Sequence, residues 1–358
     1  MCAGDIEWFD VRHGDGPGLR ERRVKLKWIA AVVTIMMAGA AGAQNITAAG
    51  ATFPNPIYNK WFAEYAQLHP NVHINYQSIG SGGGIKQVSE GTVDFGASDM
   101  PVTDDAIAAA KVKFFHIPTV LGSDVPVYNI PGLSKDLNFT GDEIADIYLG
   151  KITKWNDPRL VKENPGVNLP DKPILPVYRS DGSGTTFIFT DYLSKVSPDW
   201  AAKVGKGTSV KWPAGIGAKG NEGVSGMVRQ APYSFGYVEL IYALQNHMEY
   251  GLVKNTAGKY IKATTDGVTA AAAGAAKTMP ADYRVSITNA PGPASYPISS
   301  FTYLLIPLKF ADPAKGAAVK DFLGWMLDHG ESEAAGMGYA PLPAQVQAMV
   351  KKTITTVK

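Results

Sequence analysis

Between an apolar, strand-like run (Ile174, Leu175, Val177) and a helix-like run (Phe187, Ile188, Phe189, Tyr192, Leu193) the chain reads Arg179-Ser180-Asp181-Gly182-Ser183-Gly184-Thr185-Thr186. One fixed cation, one carboxylate, two glycines and four hydroxyls fill this strand-to-helix hinge. Such a hinge leaves the first N–H groups of the helix without intrahelical partners, all pointing one way. Glycine lets that backbone approach a ligand closely, and the hydroxyls and the positive helix end favour an anion. Arg179 adds a planar donor fork suited to phosphate or carboxylate oxygens, which Asp181 is placed to hold. Taken alone, the pattern also describes a capped helix start with a surface ion pair.

Two more turns of this type change the odds. In Ala48-Ala49-Gly50-Ala51-Thr52-Phe53-Pro54, Thr52 and Phe53 precede a run with Ile57, Trp61, Tyr65 and Leu68 at helical spacing, and Pro54 and Pro56 suit a first helical turn. Farther on, Val72, Ile74 and Tyr76 alternate with polar residues as in a half-buried strand. That strand enters Gly80-Ser81-Gly82-Gly83-Gly84 and a short helix over 85–89. A strand over 93–97 follows and ends in Ser98-Asp99. Three such turns together predict an anion socket assembled from several helix ends.

The start of the chain bears on where the protein works. A basic cluster (Arg22, Arg23, Lys25, Lys27) precedes an apolar run from Trp28 to Ala40, which ends in Ala41-Gly42-Ala43. This is the pattern of a secretory signal peptide cleaved after Ala43, before Gln44. Residues 1 to 23 are atypical for such a signal, so the natural start is expected at Val24 rather than Met1; N-terminal sequencing of the precursor would test this. The sole cysteine, Cys2, lies upstream of the cut, so the mature chain has no disulfide, cysteine-ligated metal or lipid-anchoring cysteine. It keeps 28 basic and 27 acidic residues, a net charge of +1, which gives no reason to expect nucleic acid or a membrane surface as partner. No apolar run reaches the roughly 18 residues needed for a membrane span. A soluble exported protein, most simply periplasmic, is expected.

Elsewhere, Thr140-Gly141-Asp142-Glu143 reads as a capping box. Gly215-Ile216-Gly217-Ala218-Lys219-Gly220 matches G-x-G-x-x-G. It is read as a false positive for dinucleotides, because Trp212-Pro213 breaks any strand feeding it and no βαβ unit is evident around it. The alanine-rich stretch 269–278 receives no function. A strand over 298–307 and helices over 314–327 and 344–352 close the molecule. Strands alternating with helices predict an α/β architecture with ligands at the C-terminal ends of strands.

The blocks AGATFP, GSGGG, DFGASD, IYLGKI, SDGSGT, VKWP and FGYVE occur in the order and near the spacing of the periplasmic phosphate-binding proteins of ABC phosphate importers. The chain resembles that family from about Thr47 to about Val350. The resemblance implies a two-lobed type II periplasmic binding protein, each lobe a mixed α/β sheet flanked by helices, with the ligand in the interlobe cleft. The implied organisation is a leader over 1–43, a first part of lobe I over 44–118, lobe II over 119–290 and the rest of lobe I over 291–358. The crossings would lie near Pro118 and in the region from Asn289 to Tyr296. Carried over by position, the phosphate-contacting residues are Thr52, Phe53, Ser81, Asp99, Arg179, Ser183, Gly184 and Thr185, with Asp181 in support. Gly82 departs from the serine frequent in relatives. The implied partners are inorganic phosphate and the membrane permease with its cytoplasmic ATPase; no cofactor, catalytic residue or metal is implied.

Physical chemistry supports phosphate independently. Near neutral pH phosphate keeps at least one proton, whereas sulfate has none. Asp99, as an obligate acceptor, would take that proton and repel sulfate; sites built on such a bond reject the analogue by roughly 10⁴–10⁵. The alternative for Asp99 is a cap on the following turn, for which Thr103 is better placed. Other readings are a receptor for sulfate, molybdate or a small phosphate ester, a secreted hydrolase using Ser183, and a structural or adhesive protein. Ser183 lacks the G-x-S-x-G context of a nucleophile elbow, and the mature histidines (His69, His73, His116, His247, His329) sit outside the three turns.

Overall fold

The computed structural model describes residues 43–133 and 135–357. The expected signal peptide and alternative start fall in residues 1–42, outside the described residues; the first strand begins at Gln44. Eight strands make the path of a nine-stranded sheet: β1 (Gln44–Gly50), β2 (Val72–Ser78), β3 (Phe95–Ser98), β4 (Phe114–Tyr128), β5 (Leu175–Arg179), β6 (Ile216–Ala218), β7 (Ser234–Glu239) and β8 (Ser299–Pro307). Their spatial order is β2-β1-β3-β8-β4-β7-β5-β6, with the short strand Glu249–Tyr250 beside the end of β4. β1 runs parallel to β2 and β3, and β5 parallel to β6 and β7, while β4 and β8 are antiparallel to their neighbours.

β4 joins the two parts of this sheet. Its 15 residues reach about 50 Å at ~3.3 Å per residue. Phe114–Ser123 pair with β8, and Asp124–Tyr128 pair with β7. Pro118 lies inside this central strand although proline has no N–H for the ladder. The register slips there: Thr302 pairs with Val120 but Tyr303 with Pro118. Thr119 is left as the extra residue of a bulge, and its Oγ1 sits 2.7 Å from Tyr58 Oη. Bulges re-aim neighbouring side chains, and Thr302 at this one points its hydroxyl at Asp99.

Helices cover the sheet: α1 (Asn55–Leu68), α2 (Ser81–Glu90), α3 (Gly141–Tyr148), α4 (Gly184–Val196), α5 (Gly220–Gln230), α6 (Leu240–Gln245), α7 (Thr265–Lys277), α8 (Pro313–Asp328) and α9 (Ala344–Ile354), besides shorter ones. Of the residues read at helical spacing in α1, Ile57, Trp61 and Tyr65 are buried together with Tyr58 and Phe62, whereas Leu68 in the last turn is exposed. The Phe62 ring lies 5.2 Å from Phe322 of α8. Across β4, Phe189 of α4 stacks on Tyr237 at 4.1 Å, next to Tyr148 of α3. Each part of the sheet therefore has its own aromatic core, with about 1.5–3 kcal/mol from each large apolar side chain fully withdrawn from water. The predicted capping box is present: Glu143 N–H donates to Thr140 Oγ1 at 3.2 Å and Thr140 N–H to Glu143 Oε2 at 2.8 Å. Thr103 caps the helix Asp104–Ala109, as its position suggested.

Two readings need correction. The glycine run 82–84 is not a turn ahead of the helix; α2 begins at Ser81. Glycine is needed for close approach, since a Cβ on Gly84 would lie 2.5 Å from Gly50 Cα and 2.6 Å from Ala97 O, both backbone atoms. Gly84→Ala should gain about 1 kcal/mol in helix propensity, but overpacking against immovable backbone costs about 1–3 kcal/mol or more. The clash wins. Urea unfolding of the variant should show a lower midpoint at unchanged slope.

The second correction concerns residues 215–220. A βαβ unit does surround them: β6, α5 and β7, with β6 and β7 both parallel to β5. The strand runs through the glycines instead of ending before the first, so this is not the dinucleotide arrangement. A three-residue edge strand with exposed Ile216 and Gly217 carries no hydrophobic pattern from which to read it.

Candidate anion site

The predicted residues lie at element ends that meet beside β4. Thr52 and Phe53 precede α1, Ser81 opens α2, Asp99 follows β3, Arg179 ends β5, and Ser183, Gly184 and Thr185 begin α4. Every one is buried. β5 runs opposite to β1 and β3, because the antiparallel strands β8 and β4 lie between the two parts of the sheet. The C-terminal strand ends of the two parts therefore point toward each other, and Asp99 after β3 meets Gly184 at the start of α4.

Arg179 is the cation of this space. Its Nε and Nη2 donate to Asp181 Oδ1 and Oδ2 at 2.8 and 2.5 Å, and its Nη1 to Thr185 Oγ1 at 3.3 Å. Asp181 also accepts from Gly220 N–H at 3.0 Å. Burial would raise the Asp181 carboxyl, but the hydrogen bond and charge of Arg179 more than offset this and hold it below the ordinary value. Two of the five guanidinium N–H groups remain for a ligand. Ser183 caps α4, its Oγ accepting from Thr186 N–H at 3.0 Å, so its hydroxyl proton stays available.

Asp99 faces this helix end from the other part of the sheet. A Cβ on Gly184 would lie 2.3 Å from Asp99 Oδ2 and 2.4 Å from Ser81 Oγ; only glycine fits between them. Thr302 Oγ1 donates to Asp99 Oδ1 at 2.7 Å, and Asp99 N–H donates to Ser81 Oγ at 3.2 Å. Burial pushes the Asp99 carboxyl up to about 7, against the pull of Thr302, Arg179 and Ser81. Asp124 and Glu239, paired across β4 and β7, are also buried, and burial raises both well above their ordinary values.

The two sides already touch. Gly82 N–H donates to Gly182 O at 2.9 Å, and Tyr242 Oη donates to Thr52 O at 2.6 Å. The Phe53 ring packs against Gly122 and Tyr339, and its carbonyl accepts from Tyr339 Oη at 2.7 Å. Any contribution of Phe53 to a ligand therefore falls to its backbone N–H.

Sequence reasoning missed Asn221. Fully buried at the start of α5, it donates from Nδ2 to Thr52 Oγ1 at 2.8 Å and to Thr185 Oγ1 at 3.1 Å. It belongs to a fourth helix end, directly after the glycine motif set aside above. Thr302 was also missed; nothing in a hydrophobic strand marks the one hydroxyl that a bulge will turn toward a carboxylate.

A family model described as the PBP superfamily domain matches residues 37–329. The phosphate-binding protein PstS of Xylella fastidiosa is 45% identical over 307 residues, spanning 86% of this chain and 84% of that protein. The phosphate-binding protein PstS of Pasteurella multocida is 46% identical over 305 residues, 85% of this chain and 88% of that one. Among solved structures, a high-affinity periplasmic phosphate-binding protein (PfluDING) bound with phosphate superposes with a TM-score of 0.68. That match covers 86% of this chain and 93% of the other at 20% identity, and so speaks for the fold.

Proposed function

Because the chain belongs to the PBP superfamily and, within it, to the family of the phosphate-binding proteins PstS, we propose that it binds inorganic phosphate in this cleft and delivers it to an ABC phosphate import permease. The observation that carries the reading is Asp99, a buried carboxyl amid hydroxyl and N–H donors, directly opposite the α4 N-terminus. Ionised, it accepts the proton that phosphate keeps and sulfate lacks. Arg179, Ser81, Ser183, Thr185, Thr52, and the N–H groups around Phe53 and Gly184, supply donors to the remaining oxygens.

In this reading the segments 44–118 and 291–358 form one lobe and 119–290 the other, and the anion favours closure because donors from both sides share it. The permease would engage the closed form. A periplasmic location follows from the leader expected over 1–43. Among the described residues no helix is long and apolar enough to cross a membrane. Binding rather than catalysis is favoured by the names of the relatives and by Ser183, whose Oγ is engaged as a helix cap. His116, the histidine buried among the described residues, accepts from Val102 N–H instead.

Calorimetry on the secreted protein, stripped of ligand by partial unfolding, tests the reading. One-to-one phosphate binding that a large excess of sulfate leaves unchanged is expected. Equal competition by sulfate would remove the role given to Asp99, and binding of neither anion would return the turns to ordinary helix capping.

A further inference from the structure

The Asn221 amide cannot be turned round. Its Oδ1 accepts the backbone N–H of Glu239 at 3.1 Å, and a backbone N–H only donates. Nδ2 therefore faces the two threonines, and both its protons are used on them.

This fills the acceptor capacity of both hydroxyls. Thr52 Oγ1 accepts from Asn221 Nδ2 and, at 3.4 Å, from Asn221 N–H. Thr185 Oγ1 accepts from Asn221 Nδ2 and from Arg179 Nη1. A hydroxyl has two lone pairs and one proton, so each threonine has only its proton left to offer. All three residues are at most 2% exposed, so water does not compete freely for those protons.

We propose that Asn221 is a positioning residue that makes Thr52 and Thr185 obligate donors, and so assigns the unprotonated oxygens of the anion to their end of the cleft. The protonated oxygen is left for Asp99. An ambivalent hydroxyl could accept from the phosphate proton and allow the ion to bind turned round; Asn221 removes that option. Because its contact to Thr52 joins α5 to the turn before α1, the polarity is complete only when the two sides are together. This inference rests on the phosphate reading above.

The test is a cycle on the full secreted protein, with phosphate as titrant and thermal unfolding as the check on folding. Asn221→Ala is expected to raise the phosphate Kd about 10- to 100-fold, the worth of one to two hydrogen bonds. In the Thr52→Val/Thr185→Val background the same change should cost less than about twofold, because no hydroxyl remains to be oriented. Asn221→Asp keeps an oxygen for Glu239 N–H, and serves if the alanine variant does not fold. It places an acceptor where Nδ2 was, and should likewise lose more in the threonine background than in the valine one. Equal losses in both backgrounds would mean that Asn221 acts through structure or charge alone and would overturn the proposal, as would an unchanged Kd for Asn221→Ala. Failure of the unsubstituted protein to bind phosphate would instead remove the phosphate reading itself.

Discussion

Arg179→Ala is expected to raise the phosphate Kd by about 10²–10⁴. Two charge-assisted hydrogen bonds to the ligand, each worth about 1.5–3 kcal/mol, disappear with the guanidinium. A second loss follows from the structure. Asp181 is held ionised by Arg179 at 2.5 and 2.8 Å; without it, a part-buried carboxylate stands beside the incoming anion with only Gly220 N–H for company. Breaking a buried pair from one side costs more than the pair was worth. Arg179→Ala/Asp181→Ala should therefore bind phosphate more tightly than Arg179→Ala alone, though still below the unsubstituted protein. Calorimetry on the three proteins decides it. A double variant no better than the single one would mean that Asp181 serves only to steady the loop.

The second large effect concerns selectivity. Asp99→Asn should leave phosphate binding within about tenfold and bring sulfate to a comparable affinity, erasing a discrimination of roughly 10⁴–10⁵. Asparagine offers Oδ1 to a phosphate proton and Nδ2 to a sulfate oxygen, so it suits both. The unsubstituted protein should show a weaker form of this with pH. Burial sets the Asp99 carboxyl at about 7, above its unfolded value, so the folded protein holds this proton below about pH 7 and loses it as pH rises through 7. Below that point Asp99 becomes a donor that tolerates sulfate; above it, an ionised acceptor that repels it. Sulfate competition should therefore be weakest above pH 7 and grow as pH falls through it, while Asp99→Asn shows no such trend. A pH-independent sulfate affinity in the unsubstituted protein would show that Asp99 does not face the ligand.

The local chemistry was legible in the sequence because it is written in short range. Hydroxyls just ahead of helix-forming runs specify caps, and Ser183, Thr140 and Thr103 cap the helices that follow them, whereas Pro54 and Gly80 open α1 and α2 without a side-chain cap. The spacing of Ile57, Trp61 and Tyr65, and the alternation in Val72–Ser78, likewise declared a helix and a half-buried strand. Asp99 stood out as the one carboxylate ending a strand among the donor turns.

Only the tertiary structure decided what those turns do to one another. Gly84 packs on the backbone of Gly50 and Ala97, and Gly184 leaves room for Asp99 and Ser81; the reason for each glycine lies in a segment far away in sequence. Thr302 reaches Asp99 across 203 residues because Pro118 forces a bulge opposite it, and Asn221 reaches Thr52 across 169. A residue's own neighbours carry its backbone preferences and capping, which is why the sequence determined the helix ends that a hydroxyl caps, but not the start of α2 at Ser81. The polarity of a buried hydroxyl and the proton affinity of a buried carboxyl depend on which groups close packing sets beside them and on how much water it removes. Those are properties of the folded interior, and no local pattern encodes them.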